Sequence, residues 1–140
     1  MRRPGGAAPA WPGRRLAPLL VWLPLLGAGC LHGRPAAPPP GAAEEGLASF
    51  YADRLQGRPT ASGQPYDRAA LTCAHRTAPF GARLRVTALG SGRSVVVTVN
   101  DSGPHLAGRV VDLSRAAAER LGLVEAGLLP VRVERVGGGG

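Results

Sequence analysis

The sequence predicts a mainly-β protein, a small closed barrel with one short helix, preceded by an export signal and a linker. Three observations lead there. Residues 83–89 and 94–100 each alternate apolar and polar side chains around the turn Gly90-Ser91-Gly92, the pattern of a β-hairpin. Further short runs at 46–52, 109–113 and 129–136 are set apart by Gly- and Pro-rich turns, giving five or six strands in about 90 residues. One stretch alone carries helix signals at both ends, with Ser114 ahead of RAAAERL and Gly122 behind it. Closing such strands into a barrel removes exposed edges, and 140 residues leave room for one domain.

The chain starts basic, with Arg2, Arg3, Arg14 and Arg15. Residues 16–28 are apolar and uncharged, shorter than the about 20 residues a membrane span needs, and Pro18 and Pro24 interrupt them. A basic start, a short apolar core and a small-residue stop describe a secretory signal over 1–29. The stop, Leu26-Gly27-Ala28-Gly29-Cys30, resembles a bacterial lipobox, although Gly27 stands three before the Cys where Leu is usual. That resemblance implies lipidation at Cys30 and a membrane anchor. Leu31 follows the Cys in place of the Asp that favours inner-membrane retention, so the periplasmic face of the outer membrane is expected. Residues 30–45 are rich in Pro, Ala and Gly and are expected to be an extended tether. The domain then occupies 46–136, and the glycines at 137–140 are expected to be disordered.

Within the domain, Leu84, Val86 and Ala88 share one strand face, and Val95, Val97 and Val99 share another. With Cys30 acylated, Cys73 is left unpaired, and it is expected to be a small buried side chain. A nucleophilic pair with His75, two residues on, is the reactive alternative.

All 17 basic residues are Arg, beside 21 Gly and 14 Pro, a skew that GC-rich codons alone can produce. Formal charge is +8, but from Cys30 onward 13 Arg face 9 acids, leaving +4. Those Arg are scattered, and the aromatic residues of that part are Phe50, Tyr51, Tyr66 and Phe80. A nucleic-acid surface would cluster the two types, so nucleic acid is excluded as a partner. A mild positive balance suits an anionic polymer or a lipid surface.

Several segments together resemble the rare lipoprotein A family. They are Gly46-Leu47-Ala48-Ser49-Phe50-Tyr51, Gly57-Arg58-Pro59-Thr60-Ala61-Ser62-Gly63, Leu71-Thr72-Cys73-Ala74-His75-Arg76, Pro79-Phe80-Gly81, Val99-Asn100-Asp101-Ser102-Gly103-Pro104 and Gly108-Arg109-Val110-Val111-Asp112-Leu113-Ser114. They keep the family's order and spacing across 46–136. The resemblance implies a six-stranded double-psi β-barrel with a shallow polysaccharide groove. Some members are endolytic transglycosylases that cut peptidoglycan glycan strands and leave 1,6-anhydro-muramyl ends. Expansins and related barrels bind or loosen wall polymers without cutting, which is the alternative. Many relatives carry a further C-terminal module for peptide-stripped glycan. The chain closes at Gly140 and is expected to lack it, so a division or wall-synthesis protein is a candidate recruiting partner.

A lytic transglycosylase needs one proton carrier. It protonates the leaving glycosidic oxygen, then takes the proton of the sugar's own 6-hydroxyl as the anhydro ring closes. A hydrolase would show two carboxylates flanking the bond. The resemblance places the catalytic carboxylate at Asp101, beside Gly103-Pro104, with Asp112 near it; a carboxylate neighbour would help hold a proton. It makes His75 the groove histidine, able to position the sugar or share a proton with Asp101. Tyr51, Thr60, Ser62, Gln64, Asn100 and Ser102 are expected to contact substrate. Two positions depart from the family: Gln64 stands where Glu is usual, and an amide carries no proton but still hydrogen-bonds a sugar; Ser102 replaces an Arg that could orient an acid group bidentately. His75, His105 and Asp101 lack the spacing of a metal site, so neither metal nor cofactor is expected.

Overall fold

The structure, a computed structural model, describes residues 42–137. The expected signal peptide, the lipidation site Cys30, the linker up to residue 41 and the last three glycines lie outside the described residues. In chain order the elements are β1 (Ala43–Phe50), a 3-10 turn (Asp53–Leu55), β2 (Thr72–Ala74), β3 (Arg83–Ala88), β4 (Ser94–Asp101), β5 (Arg109–Leu113), α1 (Arg115–Leu121), α2 (Leu123–Ala126) and β6 (Leu129–Arg135).

The β3–β4 hairpin forms because its apolar faces coincide. Leu84 lies opposite Val97 and Val86 opposite Val95, and all four are buried. From that hairpin the sheet closes in the order β1-β5-β2-β4-β3-β6. β1 runs parallel to β5 and β2 parallel to β4; the remaining neighbours are antiparallel. These two interlocked parallel pairs make the double-psi barrel that the resemblance implied. Val86, Val97, Val99, Val111, Leu113 and Val131 fill the interior, with Leu123 among the largest fully buried side chains. Gly46 marks the tightest crossing: a Cβ there would sit 2.9 Å from the Gly108 carbonyl oxygen and collide with Val110.

Three features depart from the sequence expectation. β1 begins at Ala43, three residues before the expected 46, because the charged pair after it is stitched into the ladder. Glu45 lies opposite Arg132, whose guanidinium donates to it at 2.9 and 3.1 Å, and Glu44 lies opposite Val133. β2 has three residues and no alternation to show, yet it pairs on both sides, with β4 and β5. A second short helix, α2, follows Gly122.

The expected helix is found as α1, with Ser114 at its N-cap and Gly122 in the left-handed conformation at its end. Ser114 is fully buried. Its hydroxyl donates to the Ala70 carbonyl at 2.6 Å and accepts from the Thr72 and Ala117 amides at 3.3 and 3.4 Å. Ser114→Ala leaves all three groups unpaired. It is expected to lower unfolding stability by about 1–3 kcal/mol in urea melts, and Ser114→Thr, which keeps the hydroxyl, to recover part of the loss.

Candidate active site

One rank of residues crosses four neighbouring strands. Ser49 of β1 lies opposite Asp112 of β5, Asp112 opposite Ala74 of β2, and Ala74 opposite Asp101 of β4. The rank ends on a partly exposed carboxylate. Asp101 closes β4, and three donors converge on it. The Tyr51 hydroxyl donates to Oδ2 at 2.5 Å, and the amides of Ala61 and Ser102 donate to Oδ1 at 2.8 and 2.9 Å. The donors come from the end of β1, from the 60–64 turn and from the next residue along, so the carboxylate orientation is fixed from three sides.

The 60–64 turn is built to deliver the Ala61 amide. Thr60 donates to the Gln64 carbonyl from its amide at 2.9 Å and from its hydroxyl at 2.7 Å, and the Thr60 and Ser62 hydroxyls lie 3.0 Å apart. The Ser62 amide ties the turn to β4 by donating to the Asn100 carbonyl at 3.2 Å. Gln64 and Ser102 are exposed.

Tyr51 also packs its ring on Tyr66, with centroids 4.7 Å apart. Burial raises the Tyr51 phenol above its ordinary value of 10.0; the hydrogen bond to Asp101 and the negative charges of Asp101 and Asp112 add to this. The phenol therefore keeps its proton and stays a donor. In front of the pair opens a pocket of about 160 Å³, lined by Tyr51, Leu55, Arg58, Pro59, Thr60, Tyr66 and Asp101. Tyr66 is itself buried, and its hydroxyl accepts the Arg115 amide at 3.1 Å, fixing the pocket wall to the start of α1.

The structure thus gathers Asp101, Tyr51, Thr60, Ser62, Gln64 and Ser102 around one turn. Asp112 lies in the same rank, but its carboxylate takes the Arg109 guanidinium at 2.5 Å. Asn100 is 4 % exposed, so it serves the turn through its carbonyl, and its side-chain oxygen lacks a hydrogen-bond partner.

The His75 ring is placed differently from the expectation of a proton shared with Asp101. Nδ1 accepts the amides of Thr77 and Ala78 at 3.3 and 3.0 Å, and Nε2 faces Glu44 at 3.3 Å. With both nitrogens engaged, His75 meets Asp101 through its backbone, its amide donating to the Asp101 carbonyl at 3.2 Å. Nor does it pair with Cys73, which is fully buried and whose thiol is pushed up by burial and then by Asp112.

Burial lowers the His75 pKa below 6.5, against the opposing pull of Glu44. The unfolded chain then binds a proton more readily than the fold does. The stability His75 contributes is complete above 6.5 and is lost as pH falls through the folded value. Thermal melts taken from neutral pH downward are expected to show the melting temperature falling more steeply in the native protein than in His75→Gln. Equal slopes would mean that the folded ring takes up a proton as readily as the unfolded chain does.

Sequence reasoning did not single out Leu55, Arg58 and Tyr66 as pocket residues, nor Glu44 as the partner of His75. Tyr66 had one signal, as one of few aromatics beyond Cys30. The others sit in irregular or charged stretches where no periodicity points at a cavity.

Comparison with known proteins gives a consistent result. The sequence profile of a family described as lytic transglycolase matches residues 43–133. A probable endolytic peptidoglycan transglycosylase RlpA from Nostoc sp. is 53 % identical over 95 residues, covering 66 % of this chain and 26 % of that protein. The endolytic peptidoglycan transglycosylase RlpA of Pasteurella multocida is 48 % identical over 96 residues, covering 69 % and 33 %. The chain therefore spans about a quarter to a third of the length of these relatives. Among solved structures, Streptomyces papain inhibitor superposes with a TM-score of 0.59 at 25 % identity, covering 72 % of this chain and 100 % of that one.

Proposed function

We propose that this chain, which belongs to the lytic transglycolase family of double-psi barrels, acts on peptidoglycan glycan strands as an endolytic transglycosylase. The observation that supports this best is the Asp101 carboxylate, held by Tyr51, Ala61 and Ser102 at the rim of an open pocket. Asp101 first gives a proton to the glycosidic oxygen as the bond to the anomeric carbon breaks. It then takes the proton of the 6-hydroxyl as that oxygen bonds the same carbon. One carboxyl group serves both steps, and no water is consumed. Tyr51 donates to Oδ2 throughout and steadies the carboxylate between its two states. Thr60, Ser62, Gln64 and Ser102 offer hydroxyl and amide groups to sugar hydroxyls around it. Asp112, held as a carboxylate by Arg109, acts on the site through its charge on the Tyr51 phenol. His75 is a positioning residue: its neutral ring fixes the 75–78 turn, and its amide holds the Asp101 backbone.

The same reading makes the protein a cell-envelope lipoprotein. It would be anchored through Cys30 at the periplasmic face of the outer membrane, with a division or wall-synthesis protein as its recruiting partner. A second reading rests on Gln64, where the family resemblance leads one to expect Glu: a domain that binds glycan or loosens the wall without cleaving it.

One digestion separates these. The full-length protein is incubated with purified glycan strands in ¹⁸O-labelled water, and the products are weighed by mass spectrometry. The transglycosylase reading expects 1,6-anhydro ends without label. Labelled reducing ends would mean hydrolysis. Intact glycan that co-sediments with the protein would mean a binding domain.

A further inference from the structure

A second pocket, of about 440 Å³, lies apart from the residues that hold Asp101. The 79–82 loop, the start of β3 and the end of β6 frame it. That volume falls within the about 300–1,000 Å³ of small-molecule sites. Its lining joins an aromatic residue, Phe80, 52 % exposed, with Pro79 and Val136 and two arginines, Arg83 and Arg135. Among the described residues, neither guanidinium has a carboxylate within ion-pairing distance. Two uncompensated cations on one cavity favour an anion there, and the guanidinium fork matches a carboxylate in two bonds. An exposed ring beside them offers an apolar face for the body that carries the charge. The loop is tied to the strand that ends in Asp101: the Gly81 amide donates to the Val99 carbonyl at 2.8 Å, and the Val99 amide to the Ala82 carbonyl at 2.9 Å.

We infer that this pocket is a second binding site for the wall polymer and takes a carboxylate-bearing group of it. The inference rests on the peptidoglycan reading above. That polymer offers two such carboxylates: the lactyl group of muramic acid where no peptide is attached, and the peptide's own acid groups where the lactyl is an amide. Both set a carboxylate beside an apolar or sugar body. A strand seated at the pocket and at Asp101 together is held by two contacts, and its second contact forms at high local concentration.

The test follows backbone amide shifts of the full-length protein by NMR. The probes are N-acetylmuramic acid, N-acetylmuramyl-L-alanyl-D-isoglutamine and neutral N-acetylglucosamine. The amides of Phe80, Gly81 and Ala82 are expected to respond to at least one of the two acids and not to N-acetylglucosamine. Response to the first acid alone identifies the lactyl group; response to the second identifies the peptide carboxylate. The double variant Arg83→Gln, Arg135→Gln is expected to weaken that response about fivefold or more, while Arg85→Gln, on the same strand, leaves it unchanged. No response at 80–82, an equal response to the neutral sugar, or an equal loss in Arg85→Gln overturns the inference. Anhydro products formed without any response at 80–82 would remove this inference alone, whereas a response without products would remove the transglycosylase reading alone.

Discussion

Replacing Asp101 by Asn is expected to cut the formation of anhydro-muramyl ends by about 10²–10⁴-fold, the range a general acid–base group supplies. The substitution is nearly isosteric, and its side-chain carbonyl can still accept the Ala61 and Ser102 amides that now meet Oδ1. What the amide cannot do is give or take a proton. The rate should therefore collapse while the melting temperature and the retention of glycan hold. Parallel digestions and co-sedimentation of native and variant protein measure both. A variant that still cuts would move the proton transfer to another carboxyl, and Asp112, in the same rank, would be the next to replace.

The largest loss of stability is expected at Leu113. It is fully buried at the end of β5, opposite Phe50 on β1 and Cys73 on β2. Its carbonyl also accepts the Tyr51 amide at 3.0 Å, so the core residue and the site residue share one ladder rung. Leu113→Ala leaves a cavity between strands that cannot close on it, at a cost of about 2–5 kcal/mol. For a domain of this size that corresponds to a fall in melting temperature of roughly 10–30 °C. Leu106→Ala, at a position 59 % exposed, should stay within about 0.5 kcal/mol of the native protein. If both variants melted alike, the interior of the barrel would not be what holds it.

What the residues made legible was whatever had a period or a cap. The β3–β4 hairpin was visible because Leu84, Val86, Val95 and Val97 alternate over enough residues to show it. α1 was visible because Ser114 and Gly122 are rare signals that occur together. β2 was not, since three residues hold no period and its partners come from distant parts of the chain. Glu44 and Glu45 looked like the end of a linker because their charge concealed that one faces His75 and the other Arg132. At the site, Asp101 and the 60–64 turn could be placed through their resemblance to a family. The direction of the His75 ring could not, because motif order fixes the backbone neighbour and leaves open which side the ring takes. Arg58 and Tyr66 were hidden for a related reason. Their pocket wall forms only when an irregular segment folds back, with the Tyr66 amide donating to the Arg58 carbonyl at 2.7 Å.

The early start of β1 also has a mechanical meaning. A pull that arrives through the chain ahead of residue 42, opposed by a glycan held at Asp101, runs along β1 itself. On one side that strand is laddered to β6 from Ala43 to Ala48, and on the other to β5 from Leu47 to Phe50. Ladder hydrogen bonds lie across the strand direction, so tension along β1 shears many of them together instead of opening them one by one. A load entering at Ala43 is thus carried by both ladders of β1 at once.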